Sequence, residues 1–194
     1  MALYTSLYLK QLSANKSYTV RERILNESKK QHTGFDIFLS HSFLDKDEVE
    51  GIYIELTNQG FTVYVDWIID PQLDRINVTK ESAELVRSRM KISASLLLAM
   101  SANASMSKWI PWELGFIDGH TNQCAIFPVS KEQAAPSTFK RSEYLLLYPY
   151  IKKAAVDYSP EIFVTESSNY YTLFEKWVRR NAKPSYNYKN IDLL

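Results

Sequence analysis

From Phe35 to Val129 the chain alternates short apolar runs with longer segments of helical periodicity, and that rhythm leaves few folds open. Phe35-Asp36-Ile37-Phe38-Leu39-Ser40 reads as a strand, and after a polar loop Asp45-Lys46-Asp47-Glu48 reads as an acidic helix start of the capping-box kind. Val49, Ile52, Tyr53 and Leu56 then fall at i, i+3, i+4 and i+7, the inner face of a helix that Gly60 stops. Phe61 to Trp67 is rich in β-branched and aromatic residues, as a second strand requires, and a loop follows from Ile68 to Asn77. Thr79 to Ile92 is expected to be helical with Val78, Leu85, Val86 and Met90 inward, and Ser95 to Met100 to be a buried strand. A helix from about Lys108 to His120, a strand from Cys124 to Val129 and a further strand around Tyr144 to Tyr150 continue the alternation. Strands and helices at this spacing build an α/β fold, a central parallel sheet of about five strands with helices on both faces. Ligands in such sheets sit beyond the carboxyl ends of the strands.

The flanks are less regular. Residues 1–32 are charged and helix-like, with Leu3, Leu7, Tyr8, Tyr18, Val20, Ile24 and Leu25 as scattered apolar anchors, and read as an N-terminal helical extension. Residues 33–180 form the domain, in which Glu161 to Thr165 has strand character while Tyr170, Tyr171, Phe174, Trp177 and Val178 fit the inner face of a closing helix. Residues 181–194 read as a loosely held tail. The N-terminus lacks the uninterrupted apolar stretch of a signal peptide, and no run approaches the ~20 apolar residues that span a bilayer, so a cytoplasmic protein is expected.

Several chemistries are disfavoured by what the sequence lacks. With 23 basic and 22 acidic residues, a formal charge of +1 provides no global field for nucleic acid or an anionic membrane. The five glycines, at positions 34, 51, 60, 115 and 119, form neither a G-x-G-x-x-G turn nor a phosphate-cradling loop, which excludes Rossmann-type dinucleotide binding. His32, His41 and His120 are too few and too scattered for a zinc signature, and Cys124, flanked by Ala125, Ile126 and Phe127, reads as a buried strand residue. Neither a metal nor a bound cofactor is expected. A hydrolase built from Ser42, His41 and Asp66 is disfavoured, because G-x-S-x-G is absent and adjacent side chains leave a strand on opposite faces.

What remains is Trp109-Ile110-Pro111-Trp112-Glu113, a carboxylate set among indole rings. Flat apolar surfaces stack on a nucleobase or a pyridinium ring while the carboxylate addresses a sugar or a cationic centre, a combination suited to a nucleotide glycosidic bond. Pro111 is tolerated in the first turn of a helix, so Glu113 lies close to a helix N-terminus, where the dipole favours the ionised carboxylate. The residues by themselves also fit a plainer reading, in which Glu113 decorates a helix start and both tryptophans belong to the core.

Taken together, Phe35 to Ser42 with its Ser-His-Ser ending, the strand ending in Asp66-Trp67, and Trp109-x-x-x-Glu113 resemble a Toll/interleukin receptor (TIR) domain of the bacterial kind over roughly residues 33 to 180. The resemblance implies a flavodoxin-like fold and cleavage of NAD at its nicotinamide-ribose bond, with Glu113 as the catalytic residue. NAD enters as substrate and not as cofactor. The same resemblance and the sheet geometry make Ser42, Phe43, His41, Trp109, Asp66 and Trp67 the substrate-binding candidates. Phe43 is placed to stack on nicotinamide or adenine; Ser42 either bonds ribose or phosphate or caps local backbone. Arg75 and Lys80 are further candidates for phosphate. The family also implies contacts between TIR copies that complete a neighbour's pocket, and a role in antiphage defence in which the product signals to a separate effector. Two alternatives stay open: a non-catalytic TIR scaffold, and another nucleoside-processing enzyme such as a base transferase.

Overall fold

The structure is a computed structural model and describes residues 2–74, 77, 79–101, 104, 107–131, 143–156 and 159–188. The chain runs β1 (Tyr4–Thr5), α1 (Ser6–Ala14), α2 (Tyr18–Glu27), β2 (Ile37–Ser40), a 3-10 turn (Phe43–Asp45), α3 (Lys46–Asn58), β3 (Val63–Tyr64) and α4 (Asp66–Ile69). It continues through α5 (Lys80–Lys91), β4 (Leu96–Met100), α6 (Ile110–Thr121), β5 (Cys124–Ser130) and a second 3-10 turn (Glu143–Leu147). The last part comprises β6 (Tyr150–Val156), β7 (Ser159–Ser167), β8 (Tyr170–Leu173), α7 (Phe174–Arg180) and β9 (Ser185–Tyr186).

Five strands, in the order β3-β2-β4-β5-β6, pair in parallel, as the βα alternation predicts. Ile37, Phe38, Leu39, Leu96, Leu97, Leu98, Ala125, Ile126 and Phe127 are buried, the expected state of strands covered on both faces. Val49, Ile52, Tyr53 and Leu56 are the buried face of α3, and Val86 and Met90 that of α5; Leu85 is half-buried, and Val78 lies outside the described residues. Gly60, at φ 84°, ends the α3 segment in the left-handed region.

Four local expectations are corrected. The run from Tyr144 is not a strand: Glu143–Leu147 winds into a 3-10 turn, and pairing begins at Tyr150, beside Ile126. Of the three leucines only Leu145 is buried, while Leu146 and Leu147 are exposed, so the run has one inward residue where a core strand would have several. Tyr170 and Tyr171 belong to β8, hairpinned against β7, and the closing helix starts only at Phe174, burying Phe174, Trp177 and Val178. Asp45 precedes α3 without capping it, because its buried carboxylate accepts from Ser101 instead. The second strand is two residues long, and Asp66 opens the short helix α4 after it.

The N-terminal segment is bound into the sheet. β1 pairs in parallel with β5, Ala2 and Lys153 exchange backbone hydrogen bonds at 2.9 and 3.0 Å, and Tyr4 and Leu9 are fully buried. Helix α1 crosses α3 at Gly51, where a Cβ would meet the Leu9 carbonyl oxygen at 2.2 Å. Tyr4 and Tyr8 both donate to Glu55 on α3, at 3.1 and 2.9 Å. Part of the C-terminal tail is held as well, since β9 pairs with β8 and the Lys183 ammonium donates to Asn122 O and Gln123 Oε1. Among the described residues no helix is long and apolar enough to cross a membrane.

Candidate active site

The buried face of α6 is Ile110, Glu113, Leu114 and Ile117, a helical spacing in which one of four core positions carries a carboxylate. Glu113 is 1% exposed, and a charge in that position carries a desolvation cost that an apolar residue would avoid. Two features offset the cost. Pro111 lies in the first turn and Glu113 at its end, so the N-terminal dipole acts on the carboxylate. Ser40, the last residue of β2 and itself 1% exposed, donates its hydroxyl to Glu113 Oε2 at 2.7 Å.

Ser40 and His41 are consecutive, so their side chains leave the strand end on opposite sides. His41 turns away from Glu113. Its Nδ1 donates to the Leu39 carbonyl at 2.7 Å, its Nε2 lies 3.4 Å from Asp66 Oδ1, and its ring meets Trp67 edge-on at 4.7 Å and 87°. Asp66 is buried and also accepts the Trp67 backbone N–H at 2.7 Å. Trp67 is half-buried with the Lys46 ammonium 5.6 Å over its ring. Because β2 stands between β3 and β4, α4 at the end of β3 and α6, which follows β4, flank the end of β2.

The other candidates are spread around this centre. Ser42 caps the first 3-10 turn, its hydroxyl oxygen accepting from Leu44 N at 3.4 Å, and Phe43 beside it is 57% exposed, an aromatic face open to a ligand. Trp109 is half-buried and faces Trp112 at 5.6 Å; with Ala83, Arg87 and Lys108 they line an open groove of about 380 Å³ between α5 and the start of α6, where the Arg87 guanidinium lies 5.7 Å over Trp112. Lys80 is an exposed helix-start residue 3.9 Å from Glu84, and Arg75 lies outside the described residues. Cys124 is buried, and burial pushes its thiol up to about 12, which leaves no thiolate for nucleophilic work.

The structure thus joins Glu113 to Ser40, and His41 to Asp66 and Trp67, on either side of one strand end. The Ser40–Glu113 and Asp45–Ser101 pairs join residues 73 and 56 positions apart, and no local sequence pattern announces either one. Asp45 lies in an acidic run that reads as a helix start, and Ser40, with His41, Ser42 and Phe43, reads as a residue at the strand end nearest the site without an assigned partner. Chemically, a buried carboxylate that accepts from the Ser40 hydroxyl can stabilise a cationic sugar centre without supplying a proton.

No protein-family model matches the chain. A probable 3′ cyclic ADP-D-ribose synthase, ThsB′, from Bacillus cereus (strain MSX-D12) is 41% identical over 179 residues, spanning 87% of this chain and 92% of that protein. A putative cyclic ADP-D-ribose synthase, TIR2, from Cytobacillus dafuensis is 24% identical over 96 residues, which is 49% of this chain and 25% of that protein. The parallel sheet of flavodoxin-like order, the Trp109 to Glu113 segment at its carboxyl edge and the near full-length similarity to ThsB′ agree: the chain belongs to the family of bacterial TIR domain proteins.

Proposed function

We propose that this protein cleaves the nicotinamide-ribose bond of NAD and converts the remainder into a cyclic ADP-ribose-type product. The observation that carries the reading is Glu113 at a core position of α6, buried and held by Ser40 at the carboxyl edge of the sheet, where α/β ligands bind. The names of both relatives point to the same chemistry.

The bond to be broken joins C1 of the ribose to the pyridinium nitrogen. Its electron pair stays with nitrogen, so nicotinamide leaves as a neutral base and no general acid is required. Positive charge develops on the ribose carbon and ring oxygen, and the Glu113 carboxylate, kept in register by Ser40, stabilises it by charge and by accepting from ribose hydroxyls. Capture by a hydroxyl of the adenosine half closes a ring, whereas capture by water gives ADP-ribose; in either case the nucleophile's proton passes to solvent or to the carboxylate. Phe43 and Trp109 supply stacking faces for the two bases, and Ser42, Asp66 and Trp67 border the pocket. Two or more copies would complete that pocket through TIR-TIR contacts, and the cyclic product would act in the cytoplasm as a signal to a separate effector in antiphage defence.

The test is incubation of the purified protein with NAD at high protein concentration, with the nucleotides separated by chromatography and weighed by mass spectrometry. The reading predicts free nicotinamide together with a product lighter than ADP-ribose by one water. Unchanged NAD, even under crowding, would leave the chain a TIR scaffold.

A further inference from the structure

The edge of the sheet away from Glu113 holds a second cavity, of about 300 Å³, where α2 of the N-terminal extension meets α3 and the chain entering β2 and β3. That volume is at the lower end for small-molecule sites. Phe35, Tyr53 and Phe61, all buried, line it, and the His32 ring stacks on Phe35 at 4.9 Å and 29°.

Two donors on its wall have no acceptor. Arg23 is held from one side, its Nη2 donating to Thr57 Oγ1 at 3.0 Å and Asn58 Oδ1 at 3.1 Å, while its buried Nε–H makes no hydrogen bond among the described residues. The Tyr53 hydroxyl makes none among them either, although the residue is only 2% exposed. Burial above all, and then the Glu27 carboxylate, raise its phenol well above the usual value, against the opposing Arg23 guanidinium; the group therefore stays a hydroxyl, within electrostatic reach of both. Such buried donors are costly until an acceptor meets them, and an anionic acceptor meets them best.

The surrounding charge has the matching sign. Glu27 is the acid on the lining, and its carboxylate is taken up by the Lys30 ammonium and by His32 Nε2 at 3.6 Å. The acceptors that Arg23 finds among the described residues are neutral. Arg179 adds a further cation, 5.4 Å over the Phe61 ring, with its Nη2 donating to the Gly60 carbonyl at 3.1 Å.

We propose that this cavity is a second ligand site, separate from the Glu113 pocket, that takes a small aromatic carboxylate: the anion accepts from Arg23 Nε–H and the Tyr53 hydroxyl, and the ring lies among Phe35, Phe61 and His32. The site stands whether or not the protein cleaves NAD, since it uses none of the residues placed around Glu113.

The probe is benzoate, with benzamide as the neutral molecule of the same shape. Proton–nitrogen NMR follows the Arg23 Nε–H, identified by its loss in Arg23→Gln, and the rise of melting temperature with ligand concentration gives the affinity of wild type, Arg23→Gln and Tyr53→Phe. In wild type, benzoate should move the Arg23 Nε–H signal and saturate with a dissociation constant of about 1 mM or below, and benzamide should bind about tenfold more weakly or worse. Tyr53→Phe removes a hydroxyl with no protein partner, so the melting temperature without ligand should stay within about two degrees of wild type while benzoate binds about tenfold more weakly. Arg23→Gln should weaken binding at least as much, and if it fails to fold, Tyr53→Phe decides alone. An Arg23 Nε–H signal unmoved at about 20 mM benzoate overturns the proposal. So does benzamide binding as tightly as benzoate, or either folded variant binding benzoate as wild type does.

Discussion

Replacing Ser40 by alanine removes one oxygen atom and should cost the enzyme turnover while leaving the fold in place. The hydroxyl donates to Glu113 Oε2 at 2.7 Å, and both residues are 1% exposed, so water does not readily substitute for it. A hydrogen bond to a charged group contributes about 1.5–3 kcal/mol, and each 1.4 kcal/mol is a factor of about ten, so full expression in the transition state predicts a loss of about 10- to 100-fold in kcat/KM. The neighbours Ile37, Phe38 and Leu39 keep β2 in the core, which limits the structural damage to a small void. Initial rates of NAD loss, with a thermal melt of each protein, measure both effects. Ser40→Thr, which keeps the hydroxyl, should recover most of the activity. Combined with Glu113→Gln, Ser40→Ala should add little, since both act through one carboxylate. Wild-type kcat/KM in a folded Ser40→Ala protein would refute the reasoning.

Other consequences are simpler to read. Gly51→Ala forces a methyl group to within 2.2 Å of the Leu9 carbonyl oxygen, so α1 must lift from α3; the overpacking cost of about 1–3 kcal/mol exceeds the helix gain of up to about 1 kcal/mol, and the melting temperature should fall by several degrees. Cys124, its thiol pushed up to about 12 by burial, should resist alkylation near pH 8 in the folded protein and react once denaturant is added. Burial, and then the Glu55 carboxylate, raise the Tyr8 phenol from 10.0 to about 12. A raised phenol stabilises the fold below its unfolded value, and this contribution is lost as pH climbs between those two values, which a denaturant titration across that range should record. Tyr8→Phe should flatten that part of the pH dependence.

The parallel sheet was legible because strand and helix periodicities differ so plainly between Phe35 and Val129, and Val49, Ile52, Tyr53 and Leu56 on α3 were found by spacing alone. The place of Glu113 near a helix N-terminus was legible because Pro111 marks the first turn. Long-range pairings were not. Ser40 meets Glu113 across 73 positions, Ser101 meets Asp45 across 56, and Arg89 forks onto Asp70 at 2.8 and 2.6 Å across 19, and no local pattern announces which acid a distant hydroxyl or guanidinium will find. The docking of α1 was hidden likewise, because the signal is the missing side chain of Gly51 opposite the Leu9 backbone. Leu145 to Leu147 misled because an apolar run carries no information about how many of its members will face inward.

The central claim is that Glu113 acts through its charge. Glu113→Gln keeps the shape of the side chain and an oxygen to accept from Ser40, removes the negative charge and puts an NH2 donor in place of the second acceptor oxygen. Chromatography of NAD incubated with this variant and with wild type, both folded and at equal high concentration, should show nicotinamide and a cyclic product from wild type and intact NAD from the variant. Equal NAD loss from both would contradict the account.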